Sequence, residues 1–294
     1  MSRKDGWPLR ELHFRCDYAH SAEGRSELAK LIYDVFGLDV SPLNRWGHDP
    51  SVVSFGWWRD RELVANVSLF ERCLLLSGKT VAAFGVQSVA VRPQWRGKNL
   101  FRDLLGRALE YADARRDLVV LGTGTPSLYA PFGFRQVQEC KFTGKQSPKR
   151  SKPKCRPLSL SDDQDVALIL DLFARRSPTS FVAAVCDHPA LFLLKAVESP
   201  KIELIYLPGV DALVAIRASR KFGLSLLDIV APVIPTLEEI VAGLGYDGER
   251  IEVCVTPDRL SWAPEKKMPI DNGHMVRGPF LPAGVAFMLS DMSI

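Results

Sequence analysis

The chain has 294 residues, 47% of them hydrophobic and 24% charged, with a formal net charge of +4 at neutral pH. That is an ordinary globular composition, long enough for two domains, and a charge too slight to argue for a nucleic-acid partner by itself. The opening MSRKDGWPLR lacks the apolar stretch of a signal peptide, and no later run approaches the ~20 apolar residues of a membrane span. A cytoplasmic protein without a membrane partner is therefore expected. Cys16, Cys73, Cys140, Cys155, Cys186 and Cys254 are scattered, with no Cys-x-x-Cys and no histidine at ligand spacing. They read as mostly buried thiols in a reducing compartment, and no metal is expected.

In chain order, Ser26 to Phe36 places Leu28, Leu31, Ile32 and Val35 on one helical face, and Gly37 supplies a stop. Ser41 to Pro50 reads as a loop. Val52–Trp57 and Leu63–Phe70 read as strands joined at Arg59-Asp60-Arg61, and Cys73–Leu76 with Thr80–Val91 continues an antiparallel set. Pro93 stops that run and Arg96-Gly97-Lys98-Asn99 turns the chain. From Leu100 the period changes: Leu100, Leu104, Leu105, Ala108, Leu109 and Ala112 form one apolar helical face. A glycine-containing loop feeding a helix start gathers free N–H groups and the positive end of the helix dipole at one point. Arg96, Lys98 and Arg102 add formal charge there, and a pyrophosphate fits that chemistry. The spacing is neither that of a phosphate-binding P-loop nor that of a three-glycine dinucleotide turn.

Leu118–Leu121 reads as a strand, followed by Ser127-Leu128-Tyr129-Ala130-Pro131-Phe132-Gly133-Phe134. Lys141 to Arg156 carries seven basic residues and no acidic one, with Pro148 and Pro153. We read it as a solvated linker in preference to an electrostatic footprint for RNA. Beyond it, helices are expected at Asp162–Phe173, Pro189–Val197 and Thr236–Leu244. Strands are expected at Ile202–Tyr206, Leu213–Arg217, Leu224–Val230, Ile251–Val255 and Gly284–Leu289. The order repeats that of the first half, but its counterpart of the anion loop, Asp228 to Pro235, has no Arg-Gly element and two prolines, each lacking an N–H donor.

The stretch Phe84–Leu105 resembles motif A of the GNAT superfamily of N-acetyltransferases, with Arg96 in its first position and Asn99 and Phe101 standing where small residues are usual. Tyr129 to Phe134 resembles the Tyr-x-x-x-Gly-Phe ending of a GNAT core. The resemblance implies an α/β (α+β) GNAT fold, a mixed and mostly antiparallel sheet flanked by helices, over residues 1–142. A basic linker at 143–157 and a degenerate GNAT-like domain at 158–294 would follow, as in tandem proteins of the Eis type. It implies acetyl-CoA as cosubstrate, held by backbone at Val89, Ala90 and Val91 and by the loop residues Arg96, Gly97, Lys98, Asn99, Leu100, Phe101 and Arg102. Tyr129 matches the general acid, and its unperturbed pKa of about 10 suits protonation of an alkyl thiolate; the plainer reading packs it against Phe132 and Phe134. For the amine's proton three acceptors stand open: a water chain, Glu71, or the terminal carboxylate of Ile294, the last as in Eis-type enzymes.

Other candidates read more plainly. His48 and His188 lie far from either motif and are expected to be structural or exposed. Trp57 and Trp58, adjacent on a strand, face opposite ways, so at most one can line a pocket. The function expected is transfer of an acetyl group from acetyl-CoA to a small-molecule or peptide amine by direct attack in a ternary complex. The alternatives are a catalytically inactive CoA- or ligand-binding regulatory protein and an aminoacyl-tRNA-dependent transferase.

Overall fold

The computed structural model describes residues 11–146 and 152–293. Two compact units emerge: residues 1–71 with 84–121, and residues 72–83 with 122–294.

In the first unit, β1 (Leu12–Cys16) precedes α1 (Ala22–Phe36) and the short α2 (Leu43–Trp46). Then come β2 (Val53–Arg59), β3 (Glu62–Leu76), β4 (Lys79–Val91), α3 (Leu100–Asp113) and β5 (Val119–Gly122), the β3–β4 hairpin end at residues 72–83 being counted with the second unit. The five strands lie in the order β1-β2-β3-β4-β5, with β4 and β5 parallel. β1 was not foreseen, although Leu12, Phe14 and Cys16 alternate; it pairs antiparallel with β2 from Leu12↔Arg59 to Cys16↔Phe55. α1 begins under the Ser21 side chain, which accepts from Gly24 N–H, and ends at Gly37, whose φ of 70° provides the left-handed stop expected of it. β3 is one strand of 15 residues where two shorter ones were expected, because Glu71 and Arg72 continue its ladder without a turn. The six apolar positions expected along α3 are the six it buries.

The core beneath β2 and β3 gathers Tyr18, Leu31, Trp58, Leu63 and Ala90. Tyr18 meets Trp58 edge to face, at 4.9 Å between centroids. The Tyr18 ring crosses β2 at Gly56, where an added Cβ would lie 2.7 Å from the tyrosine hydroxyl and 2.7 Å from Leu63 Cδ1. Gly56→Ala is therefore expected to destabilise the fold by about 1–3 kcal/mol, the cost of overpacking a filled core. A wild-type urea midpoint in that variant would contradict this packing.

In the second unit, the elements in chain order are β6 (Arg135–Gln136), β7 (Glu139–Lys145), β8 (Arg156–Pro157), α4 (Asp163–Ala174), β9 (Ala183–Val185) and α5 (Ala190–Glu198). These are followed by β10 (Glu203–Leu207), β11 (Ala212–Ser219), β12 (Gly223–Val230), α6 (Leu237–Leu244), β13 (Arg250–Val253), β14 (Lys266–Ile270) and β15 (His274–Arg277). A seven-stranded sheet runs β14-β7-β13-β12-β11-β10-β8, with β12 and β13 parallel. β15 pairs with β6, and β9 pairs with the Leu74–Leu76 end of β3. The boundary expected at residue 142 falls inside β7, and the basic stretch continues as strand to Lys145, where its charge masked the alternation.

No strand forms at 284–289, against expectation. Phe287 O accepts from Cys140 N–H at 2.7 Å, but its neighbours bond side chains: Leu289 N–H donates to Glu139 Oε1 at 2.8 Å, and Met288 N–H to Thr256 Oγ1 at 2.9 Å. Thr256 N–H also reaches Met288 O at 3.1 Å, but single backbone bonds to two different segments, interrupted by side-chain bonds, make no ladder. The thiols also depart from expectation: only Cys140 and Cys254 are buried, Cys73, Cys155 and Cys186 are half-buried, and Cys16 is exposed.

His274 and Glu139 are buried together in this unit, 3.8 Å apart, and among the described residues neither imidazole nitrogen has a hydrogen-bond partner. Burial, with the Arg72 cation adding to it, lowers His274 to about 3. Burial raises Glu139 to about 6 against the Leu289 N–H, Asn272 and Arg72, which favour its anion. The two groups act on stability with opposite signs. Between about 3 and 6.5 the unfolded chain binds the His274 proton more readily, so stability falls as the pH drops below about 6.5. Between about 4.5 and 6 the folded chain binds the Glu139 proton more readily, so that contribution strengthens on acidification. His274→Gln is expected to abolish a loss of at most about 1.4 kcal/mol per pH unit. Urea midpoints at mildly acidic and neutral pH check this; an unchanged slope in the variant would rule out a neutral imidazole.

Candidate active site

The register between β4 and β5 covers Phe84↔Val119 and Gly85↔Val120, whereas β4 continues to Val91. The two strands part there, within the first unit, as the wedge reading requires. Backbone direction along β4 shows what faces the gap. Phe84 N–H donates to Leu118 O beside β5, while Arg92 N–H donates to Val64 O on β3. Both residues are even-numbered, so an uninterrupted strand would point both the same way. The alternation therefore switches once between them, and Ser88, at φ 53°, is the strand residue that breaks it. A left-handed serine costs roughly 1–2 kcal/mol, and its effect is that of a bulge. Past it, the backbone groups of Val89 and Val91 face away from β3. Ala90 alternates back toward β3 and is 2% exposed, a core residue.

At the end of β4, Arg92 is buried and roots the loop. Its Nε donates to Leu63 O at 2.9 Å and lies 3.2 Å from Glu62, and its Nη1 bonds Asp34 of α1. Trp95 packs inward, and Lys98 lies over its ring at 4.5 Å from the centroid. Arg96 turns back so that its Nε meets Val91 O at 3.2 Å. Gly97 and Asn99 both take left-handed angles, φ 75° and 59°. Asn99 is the N-cap of α3, but its side chain makes no capping bond, and Asp103 N–H donates to Asn99 O at 3.0 Å. The N–H groups of the first turn lie ahead of that bond, at the positive end of the helix dipole. Arg96, Gly97, Asn99 and Arg102 are exposed, and nothing lies within 4 Å of where a Gly97 Cβ would stand. The first turn's carboxylate, Asp103, is occupied by Trp57 Nε1 at 3.0 Å and Arg107 Nε at 2.9 Å. The loop, Val89 and Val91 thus come together in one unit. Trp58 is wholly buried, so Trp57 alone of that pair reaches the surface.

Tyr129 belongs to the second unit. It is 7% exposed, between two short helical turns that end at Gly133 (φ 85°), and meets Phe134 edge to face at 6.1 Å. Burial raises its phenol above the usual tyrosine value. Ile294 lies outside the described residues. Glu71 is ion-paired, its carboxylate 3.0 Å from Arg116 Nη2. His48 bonds Asn44 Oδ1 at 2.9 Å, and His188 Nδ1 accepts from Ala190 N–H at 3.3 Å at the start of α5. Sequence reasoning missed Asn66, wholly buried on β3 and bonded to Ser88 O. An asparagine inside an apolar strand was the available signal.

The second unit's counterpart of the anion loop is closed by its own side chains. Thr236 Oγ1 accepts from Glu239 N–H at 3.2 Å, and Glu239 Oε2 accepts from Thr236 N–H at 2.8 Å, a complete capping box. Glu238 and Glu239 make that helix start negative.

Residues 21–137 match the family described as an acetyltransferase (GNAT) domain. A probable N-acyltransferase of Enterococcus faecalis aligns with a TM-score of 0.60 at 16% identity, over 91% of this chain and 72% of that one. Eis1 of Mycobacterium abscessus aligns at 0.57 and 15% identity, over 90% and 74%. A GCN5-related N-acetyltransferase of Kribbella flavida aligns at 0.54 and 16%, over 92% and 72%. At such identities the likeness is one of fold, and it spans most of this chain. No curated protein matches the sequence.

Proposed function

We propose that this chain, whose residues 21–137 match a GNAT acetyltransferase domain, moves an acetyl group from acetyl-CoA to a primary amine by direct attack in a ternary complex. The observation that carries this reading is the continuity of open β4 backbone with a left-handed loop and an uncapped helix start, all inside the family-matched segment. In this reading the pyrophosphate sits on N–H groups between Arg96 and Arg102, where Arg96 and Arg102 add charge and the helix dipole favours an anion. The pantetheine pairs with the backbone of Val89 and Val91, as a strand would. Val89 N–H donates to the thioester carbonyl, whose oxygen gains charge as the amine attacks.

The neutral amine attacks the carbonyl carbon, the C–N bond forms, and the C–S bond breaks as the tetrahedral centre collapses. Tyr129 gives its proton to the departing thiolate. A buried phenol keeps that proton to higher pH than a free one, which suits an acid. A water chain takes the proton lost by the amine. α6, capped and acidic at its start, supplies no second pyrophosphate site.

Asn99 departs from the small residue usual in the motif, but it fills a left-handed position that asparagine tolerates, so the loop geometry survives the change. The test is amine-dependent release of free CoA thiol from acetyl-CoA, using a panel of polyamines, amino acids, aminoglycosides and peptides. Acceleration by one class identifies the acceptor. Thiol release that no amine accelerates, with acetyl-CoA bound, would favour a CoA-binding regulatory protein instead.

A further inference from the structure

We propose that Asn66 is a positioning residue that sets the direction and donor strength of Val89 N–H by holding the carbonyl of Ser88. The proposal rests on the reading that an acyl-CoA thioester lies against Val89.

The argument begins with the planar peptide. Ser88 C=O and Val89 N–H belong to one trans peptide unit and point in opposite directions. Whatever fixes the carbonyl also aims the N–H. The Ser88 carbonyl leaves the regular ladder at the bulge and needs another donor. Asn66 Nδ2 supplies it at 2.6 Å, while also donating to Ser68 Oγ at 3.0 Å. The opposite end of the carboxamide is occupied too: Tyr18 O–H donates to Asn66 Oδ1. An amide flip would set oxygen against oxygen at Ser88, so the network admits one orientation.

Each member of the chain is enclosed. Asn66, Ser68 and Ser54 are wholly buried, and Ser54 Oγ bonds Ser68 Oγ at 2.9 Å. Tyr18 is 5% exposed and reaches Asn66 across Gly56, the residue opposite Asn66 on β2. The donor that holds the Ser88 carbonyl is therefore itself out of reach of water. Hydrogen bonds in series polarise one another, so donation into Ser88 O draws electron density from the amide nitrogen and makes Val89 N–H a stronger donor. It points away from Asn66, to the side of β4 that β5 leaves open. A donor wanted only for stability could have been a backbone group of β3; a buried carboxamide locked at both ends also fixes direction.

The test uses the full-length chain with Asn66→Ala and, as a milder change, Tyr18→Phe, which removes only the hydroxyl. Three quantities are read: Kd for CoA lacking an acyl group, kcat with acetyl-CoA and the best amine, and the amide chemical shift of Val89 in the ligand-free protein. Loss of a direct oxyanion donor lowers kcat by roughly 10²–10³. Misdirecting one through Asn66→Ala is expected to lower it at least about tenfold, with Kd for CoA held within about threefold by the Arg96–Arg102 loop. The Val89 shift should move in both variants, and Tyr18→Phe should lose kcat by a smaller factor. Wild-type kcat in Asn66→Ala, an unmoved Val89 shift, or equal losses in kcat and CoA affinity would each overturn the proposal. A wild type that binds no CoA would instead remove the acyl-CoA reading. The Val89 shift needs no ligand, so the two failures are told apart.

Discussion

Tyr129→Phe is expected to lower kcat by roughly 10²–10⁴ while leaving acetyl-CoA affinity unchanged, the range in which a positioned general acid contributes. The substitution removes one oxygen and keeps the ring that packs on Phe134, so the fold should survive it. The effect falls on the step in which the thiolate leaves, not on binding, and this separates an acid from a packing residue. The pH profile sharpens the test. Burial raises Tyr129 above the usual tyrosine value of about 10, and the acid works only while protonated. Activity in the wild type should therefore rise with pH as the acceptor amine loses its proton, and should not decline until the pH exceeds about 10. An alkaline decline set well below that value, or a Tyr129→Phe enzyme with full kcat, would return Tyr129 to the hydrophobic role.

The second large effect is on binding. Arg96→Ala combined with Gly97→Pro is expected to weaken acetyl-CoA binding at least about 100-fold, with thermal stability nearly unchanged. Gly97 sits at φ 75°, whereas proline is fixed near −65° and brings no N–H, so the loop must open. A charge-assisted hydrogen bond is worth roughly 1.5–3 kcal/mol, and a charge at a helix start about 0.3–1 kcal/mol. Losing the arginine together with the loop's shape accounts for two orders of magnitude. Because Gly97 is exposed, with open space around its Cβ position, the change should reach the ligand before it reaches the core. A stability loss as large as the affinity loss would show the loop to be part of the fold and not a ligand cradle.

Much of this was legible where local chemistry decides structure. α3 begins at Leu100 and buries the six positions its spacing marks, since one apolar stripe at helical period has a single way to pack. The Arg96–Asn99 turn and the Gly37 stop were legible because each needs a left-handed residue and the sequence offers glycine or asparagine there. Ser88 was not legible. Serine carries no preference for positive φ, and its angle is held by Asn66, 22 residues away in sequence. β7 was hidden for another reason: Lys141 and Lys145 dominate its composition, yet Lys141 is 3.5 Å from Glu252 across the sheet, so its charge is paired rather than solvated. The segment at 284–289 was apolar enough for a strand, but the N–H groups of Met288 and Leu289 bond the side chains of Thr256 and Glu139, and no periodicity records that.

Titration of the wild-type chain with acetyl-CoA by calorimetry tests the central claim most directly. The account gives saturable binding with one molecule per chain, because the loop before α3 is open while the start of α6 is capped by Thr236 and Glu239. Absence of binding, or two equivalent sites per chain, would contradict it.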